Sequence, residues 1–118
     1  MTPEQNISLA RQYVEHSNAH NLNAIRDMLS PKTRYTSSRV GEHHGLEAII
    51  SMMDGFFAGF PDVNWQVPEY KTETGNAVIF NFIMTATAKD SGDQINRNGV
   101  ERIEFDASGL IIWIDVQA

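Results

Sequence analysis

The chain has 118 residues, enough for one domain around one core, and 42% of them are hydrophobic, which excludes a disordered chain. Its formal net charge is -6 and its six Arg and three Lys are scattered, which excludes a nucleic-acid surface and disfavours docking on an anionic membrane. With no cysteine there is no disulfide framework, no thiolate metal site and no Cys nucleophile.

The opening "MTPEQNISLARQ" is polar, lacks a signal-peptide core, and reads as the start of a soluble cytoplasmic protein. Thr2 as N-cap, Pro3 as first helical residue and Gln5 as the return partner of a capping box predict a helix. Ile7, Ala10, Val14 and Ser17, with Leu9 and Tyr13 beside them, continue it at helical spacing. "NAHN" breaks the pattern. A short second helix follows, with Leu22, Ile25, Met28 and Leu29 on one face, and Ser30-Pro31 ends it. "KTRYTSS" predicts a strand with Tyr35 and Ser37 on one face, and "RVGEHHG" reads as a loop. A third helix is expected from about Gly45 to about Phe57, striped by Leu46, Ile49, Ile50, Met53 and Phe57.

Four strand-like runs come next: "VNWQV", "NAVIFNFIMTATA", a run containing "NGVERIEF", and "LIIWIDV". "ETGN" and "DASG" are hairpin turn signals. Helices followed by an antiparallel meander define an α+β domain in which the helices cover one sheet face. "VIFNFIM" and "LIIWI" are apolar at both parities, so the other face is expected to be buried too, in a homodimer formed through the sheet. Long central strands carrying excess apolar residues would give the same pattern.

This order, with "RQYVEHSNAHNLNAI", "GLEAI", "FFAGFPDV" and "ERIEFDASGLIIWI", resembles the cone-shaped nuclear transport factor 2-like fold over nearly the whole chain, in particular its SnoaL-like and ketosteroid isomerase-like branch. The resemblance implies a single domain over residues 1–118, with three N-terminal helices on a curved, mostly antiparallel sheet and a cofactor-free pocket for a small apolar molecule between them. Isomerases, cyclases, epoxide hydrolases, dehydratases and non-catalytic binding domains share that scaffold, so the reaction must be argued from the site. Met53, Phe60, Trp65, Phe80 or Asn81, Ile103 and Trp113 are available as lining; the same residues could simply fill a core.

Matched against ketosteroid isomerases, "RQYVEHSN" puts Tyr13 where the family's oxyanion-hole Tyr stands, and "VERIEF" puts Glu101 where its neutral carboxylic acid stands. Strand parity agrees, since Glu101 shares a face with the apolar Ile103 and Phe105. Ser37 falls at the general base, where it is no base near neutral pH but could position a ligand or water. Matched against epoxide hydrolases of the limonene type, Asp115 falls at a catalytic carboxylate and Tyr35 and Ser37 at water-positioning groups. The Arg and Asp those enzymes carry on a middle strand are missing from "IFNFIM". The "GEHHG" histidines, with Glu47, read as a solvated loop rather than a metal site. Two functions stay open: an isomerase- or cyclase-like enzyme using Glu101 and Tyr13 on a carbonyl substrate, or a non-catalytic binding or dimerisation module.

Overall fold

Thr2 caps helix α1 (Pro3–Asn18) as a reciprocal box: Gln5 N donates to Thr2 Oγ1 at 3.1 Å, and Thr2 N donates to Gln5 Oε1 at 2.8 Å. The computed structural model describes residues 1–118. At the "NAHN" break His20 takes a positive φ of 54°, and Asn21 caps helix α2 (Leu22–Met28) by accepting from Ala24 N at 3.1 Å. Strand β1 (Leu29–Ser37) follows without a gap.

The "GEHH" segment is strand β2 (Gly41–His44), antiparallel to β1, rather than a loop. A half-buried and an exposed histidine beside an exposed carboxylate hide a strand at the rim of a sheet, where neither face is fully buried and no alternation is required. Gly45, at a positive φ of 89°, then turns the chain into helix α3 (Leu46–Gly59), which runs slightly past the expected Phe57. Strands β3 (Asn64–Gln66), β4 (Tyr70–Glu73), β5 (Ala77–Thr87), β6 (Gln94–Phe105) and β7 (Ile111–Gln117) complete the chain. The sequence pattern misses β4, because "YKTE" is a four-residue edge segment with one half-buried side chain.

The sheet has the order β2-β1-β7-β6-β5-β3, with β4 also paired to β5. Every pairing is antiparallel except β1 with β7, so the domain is α+β with a mostly antiparallel sheet. Its inner face packs on the helices. Val78, Phe80, Phe82 and Met84 of β5 and Ile103 and Phe105 of β6 are buried there, with Ile49, Met53 and Phe57 of α3 above them.

The apolar doubling of "LIIWI" has a local cause. Register shifts by one residue between Glu104 and Phe105, so Phe105 faces Ile111 while Glu104 faces Trp113. The bulge sends both Ile111 and Ile114 inward and leaves Trp113 outside. Thr33, fully buried, secures a matching irregularity between β1 and β7: its hydroxyl lies against the Ser30 carbonyl, 2.8 Å, and the Ile111 carbonyl.

Gly99 sits opposite Phe82 on the inner face of β6. A Cβ at this position would lie 2.4 Å from Phe82 Cζ and 2.7 Å from the Gln117 carbonyl oxygen. The glycine is there because the Phe82 ring lies directly over it. Gly99→Ala is expected to destabilise the fold by roughly 1–3 kcal/mol, the range for overpacking. Part of that cost should vanish when Phe82 is first trimmed to Ala, measured as a double-mutant cycle in urea. An alanine variant as stable as the parent would mean that the ring does not occupy this space.

Candidate functional site

An apolar cavity of about 80 Å³ lies between the inner sheet face and helices α1 and α3. It is walled by Met52, Met53, Phe56 and Phe57 of α3, Trp65 of β3 and Phe80, Phe82 and Met84 of β5. Tyr13, Tyr35, Ser37 and Glu101 supply polar atoms, and Arg39 and Arg97 also line it.

Sheet register explains why these groups meet. Across the inner face, Ser37, Val116, Glu101, Phe80 and Tyr70 form one row through β1, β7, β6, β5 and β4. Glu101 is therefore flanked by Val116 and Phe80, two apolar neighbours with nothing to offer a carboxylate. It is only 7% exposed. Ser37 stands two strands away in the same row, about 10 Å at ordinary strand spacing. Tyr13 reaches in from α1, where its main-chain carbonyl accepts the Ser17 hydroxyl at 2.8 Å.

Burial holds the Glu101 carboxyl far above the usual range, at about 8, and the charge of Asp115 adds to the shift. It is thus mostly protonated at neutral pH. Burial also raises the Tyr13 phenol, with the charges of Glu101 and Tyr35 adding and contact with the Ser17 hydroxyl opposing. Tyr35 is raised by burial and then by Glu101. Three proton-bearing groups thus share one apolar space, and an ionised Glu101 would disfavour ionisation of both tyrosines. The deep end can donate hydrogen bonds to an oxygen without holding a fixed charge.

The Ser37 hydroxyl oxygen has a structural partner. It accepts from Arg39 N at 3.1 Å and Val40 N at 3.2 Å and so closes the β1–β2 hairpin. Four other residues considered as lining lie elsewhere. Ile103 is fully buried one row below Glu101, between Val78 and Ile114. Phe60 caps α3 and packs on Phe56 at 4.9 Å. Asn81 is exposed on the outer face of β5, one residue out of phase with Phe80 and Phe82. Trp113 is also outside, with the Arg34 guanidinium 4.0 Å from its ring centroid and its Nε1 donating to Thr36 Oγ1 at 3.0 Å. Asp115 shares that outer cluster, accepting from Thr36 Oγ1 at 2.5 Å. It does not reach the cavity as the carboxylate of an epoxide hydrolase would.

Other contributors were not singled out from the sequence. Met52 and Phe56 line the cavity from α3. His43 approaches the site, with its ring edge-on to Tyr35 at 6.5 Å. His44 stays exposed beside Glu42, 3.5 Å away. Asn18 holds Trp65 by two bonds: its Nδ2 donates to the Trp65 carbonyl at 3.0 Å and its Oδ1 accepts from Trp65 N at 2.8 Å. His20 stacks on Phe57 at 4.3 Å with its Nε2 3.2 Å from the Val63 carbonyl. Arg97, which also lines the cavity, left a readable mark, because it shares the parity of Glu101 in "RNGVE".

A cone of three helices over a curved mixed sheet is the nuclear transport factor 2-like architecture. A nuclear transport factor 2-like protein of unknown function from Burkholderia pseudomallei K96243 overlays with TM-score 0.84 at 16% identity, covering 98% of this chain and 90% of that one. A hypothetical protein with a ketosteroid isomerase-like fold from Catenulispora acidiphila DSM 44928, solved with trimethylamine, overlays with TM-score 0.82 at 12% identity, covering 92% and 82%. SalBIII, an epoxide hydrolase/cyclase-like enzyme with a role in pyran ring formation in the polyether salinomycin, overlays with TM-score 0.87 at 13% identity, covering 97% and 90%. At such identities these overlays establish the fold. The SnoaL-like domain model matches residues 10–114, and the chain belongs to that family. No curated protein matches it by sequence.

The raised carboxyl links stability to pH. Folding moves the Glu101 pKa from 4.5 to about 8, so the native state keeps a proton that the unfolded chain releases. The associated stability is complete below the unfolded value, falls by up to about 1.4 kcal/mol per pH unit in between, and levels off once the folded group ionises. Glu101→Gln should flatten this part of the profile, read from urea midpoints between pH ~5 and ~9. Parallel profiles for the two proteins would mean that Glu101 titrates normally.

Proposed function

We propose that this chain binds a small, largely apolar carbonyl compound and, without a cofactor, promotes its isomerisation or cyclisation through the carbonyl oxygen. The observation that carries this reading is the protonated Glu101 carboxyl opening on an apolar cavity beside the Tyr13 phenol. As charge builds on the oxygen during enolisation or ring closure, two donors that already line the cavity would stabilise the transition state. Of the two reactions, cyclisation asks less of the site. A proton shift between carbons needs a base, and Ser37 supplies none. In closure by a hydroxyl already on the substrate, the new C–O bond forms as the carbonyl π bond breaks, Glu101 protonates the carbonyl oxygen, and the resulting Glu101 carboxylate takes up the proton the hydroxyl loses, so one group serves both transfers. The description of SalBIII as acting in pyran ring formation supports this preference.

The volume limits the ligand. A cavity of about 80 Å³ is smaller than the roughly 150 Å³ that holds benzene. Entry of anything larger requires rotamer changes at Met52, Met53 and Met84, side chains whose flexibility permits them. The second reading, a non-catalytic binding module, is favoured by the Ser37 hydroxyl being tied into a hairpin.

Thermal shift with a panel of cyclic and aryl ketones, propiophenone among them, tests the reading. The wild type should be stabilised, and Glu101→Gln and Tyr13→Phe should each weaken binding about tenfold, the worth of one strong hydrogen bond. Binding to the wild type should also weaken as pH rises past about 8, where Glu101 loses its proton. Equal shifts in all three proteins would remove both residues from the site. Turnover by the wild type that falls about 100-fold or more in Glu101→Gln would mark an enzyme, and binding with no turnover would mark the module.

We also propose that a second copy covers the outer sheet face, where Ile83 and Val100 are 39% and 38% exposed on adjacent strands. A homodimer of this kind should become monomeric in sedimentation when both are replaced by Lys. A wild type that sediments as a monomer would rule the pairing out.

A further inference from the structure

The chain has six arginines, and four of them have partners away from the cavity. Arg26 pairs with Glu47 at 2.5 Å, and Arg102 with Glu73 at 2.7 Å and Glu104 at 3.3 Å. Arg11 lies 5.1 Å from the Tyr70 ring centroid, and Arg34 lies 4.0 Å from that of Trp113. The remaining two, Arg39 and Arg97, have neither a carboxylate nor a ring, and they are the two that line the cavity. In a chain of net charge -6, two unpaired guanidiniums on one apolar opening are unlike the rest of the surface.

Their positions follow from the fold. Arg97 shares the inner face of β6 with Glu101, four residues along the strand, so their Cα atoms stand about 13 Å apart. Between them Gly99 carries no side chain, and the Phe82 ring forms the floor. Arg39 comes from the β1–β2 hairpin, held in place by the Ser37 hydroxyl. Neither serves Glu101 as a counterion, since its carboxyl stays protonated near neutrality. Ala118, on the same rim, is held by Ser38, which donates to its carbonyl at 3.2 Å and accepts from its N at 3.0 Å.

We propose that Arg39 and Arg97 bind the carboxylate of the ligand, so that the protein takes apolar keto acids, with the carbonyl at Glu101 and the anionic end at the mouth. This rests on the cavity being the ligand site, and it adds the substrate class. A guanidinium fork matches a carboxylate in a way that no other group on this rim does. The charge at the mouth and the neutral donors at depth also fix which end of the ligand enters first.

The test uses 4-oxo-4-phenylbutanoate and its methyl ester, which share the ketone and ring and differ in charge. Binding is followed by fluorescence, which Trp65 in the cavity wall reports. The wild type should bind the acid about tenfold more tightly than the ester, with the preference shrinking as salt is raised. Arg39→Gln with Arg97→Gln should abolish the preference and leave ester affinity unchanged. Glu101→Gln should weaken acid and ester alike and leave their ratio intact. Equal wild-type affinity for acid and ester, both lost in Glu101→Gln, would overturn the arginine assignment and keep the carbonyl reading. Binding of neither compound would overturn both. If the double variant loses the ester as well, the arginines are holding the cavity in shape and the assignment fails.

Discussion

Placing one carboxyl on the apolar face of β6 is the constraint around which the concave side of this molecule is arranged. Glu101 stands between Phe80 and Val116, with no neighbour that favours its ionised form. Desolvation of a lone carboxylate is costly enough that the group keeps its proton instead. Each surrounding element then has a chemical meaning. The two tyrosines near Glu101 stay neutral because the same burial acts on them and because they lie within reach of its field. The outcome is a donor-rich, charge-free interior, which suits an electron-rich oxygen and repels nothing apolar.

The walls of that interior depend on a few polar and steric devices away from the chemistry. Asn18 fixes the backbone of Trp65, the stack of His20 on Phe57 steadies the end of α3, and the Ser37 hydroxyl shapes the hairpin that carries Arg39. Gly99 lets the Phe82 ring lie flat enough on β6 to make a floor. The strand that carries the acid also carries the glycine that shapes the space in front of it and the arginine at its opening. Residues at positions 97, 99 and 101 thus define a polar end, a gap and a second polar end along one line.

Much of this was readable from sequence where a single periodicity ruled. The capping box at Thr2, the stripe of α3 and the inward parity of Glu101, Ile103 and Phe105 each depend on local spacing, and each is found. What escaped depends on the pairing of distant segments. Nothing in "LIIWI" announces the bulge that turns Ile111 and Ile114 to the same side, so its apolar character looked like evidence for a covered outer face. "GEHH" and "YKTE" are strands because longer neighbours pair with them, not because their own residues favour extension. Trp113 looked like pocket lining because it is aromatic, yet it alternates with the inward Ile114 and Val116 and so lies outside with Arg34. Asn81 missed the cavity by one step of alternation. Arg39 could not be anticipated, since its place is set by a turn whose geometry a serine hydroxyl decides.

The two bonds between Asn18 and Trp65 have a consequence beyond orienting an indole. β3 ends the order of the sheet, so its outward backbone N–H and C=O would face solvent as a template for another strand. The amide of Asn18 occupies both groups of Trp65 at once, in the manner of a one-residue strand partner contributed by a helix. The three-residue length of β3 and this amide together leave little free edge for intermolecular pairing. A side chain at the end of the first helix thus closes the β3 edge at Trp65 to pairing with a strand of a neighbouring molecule.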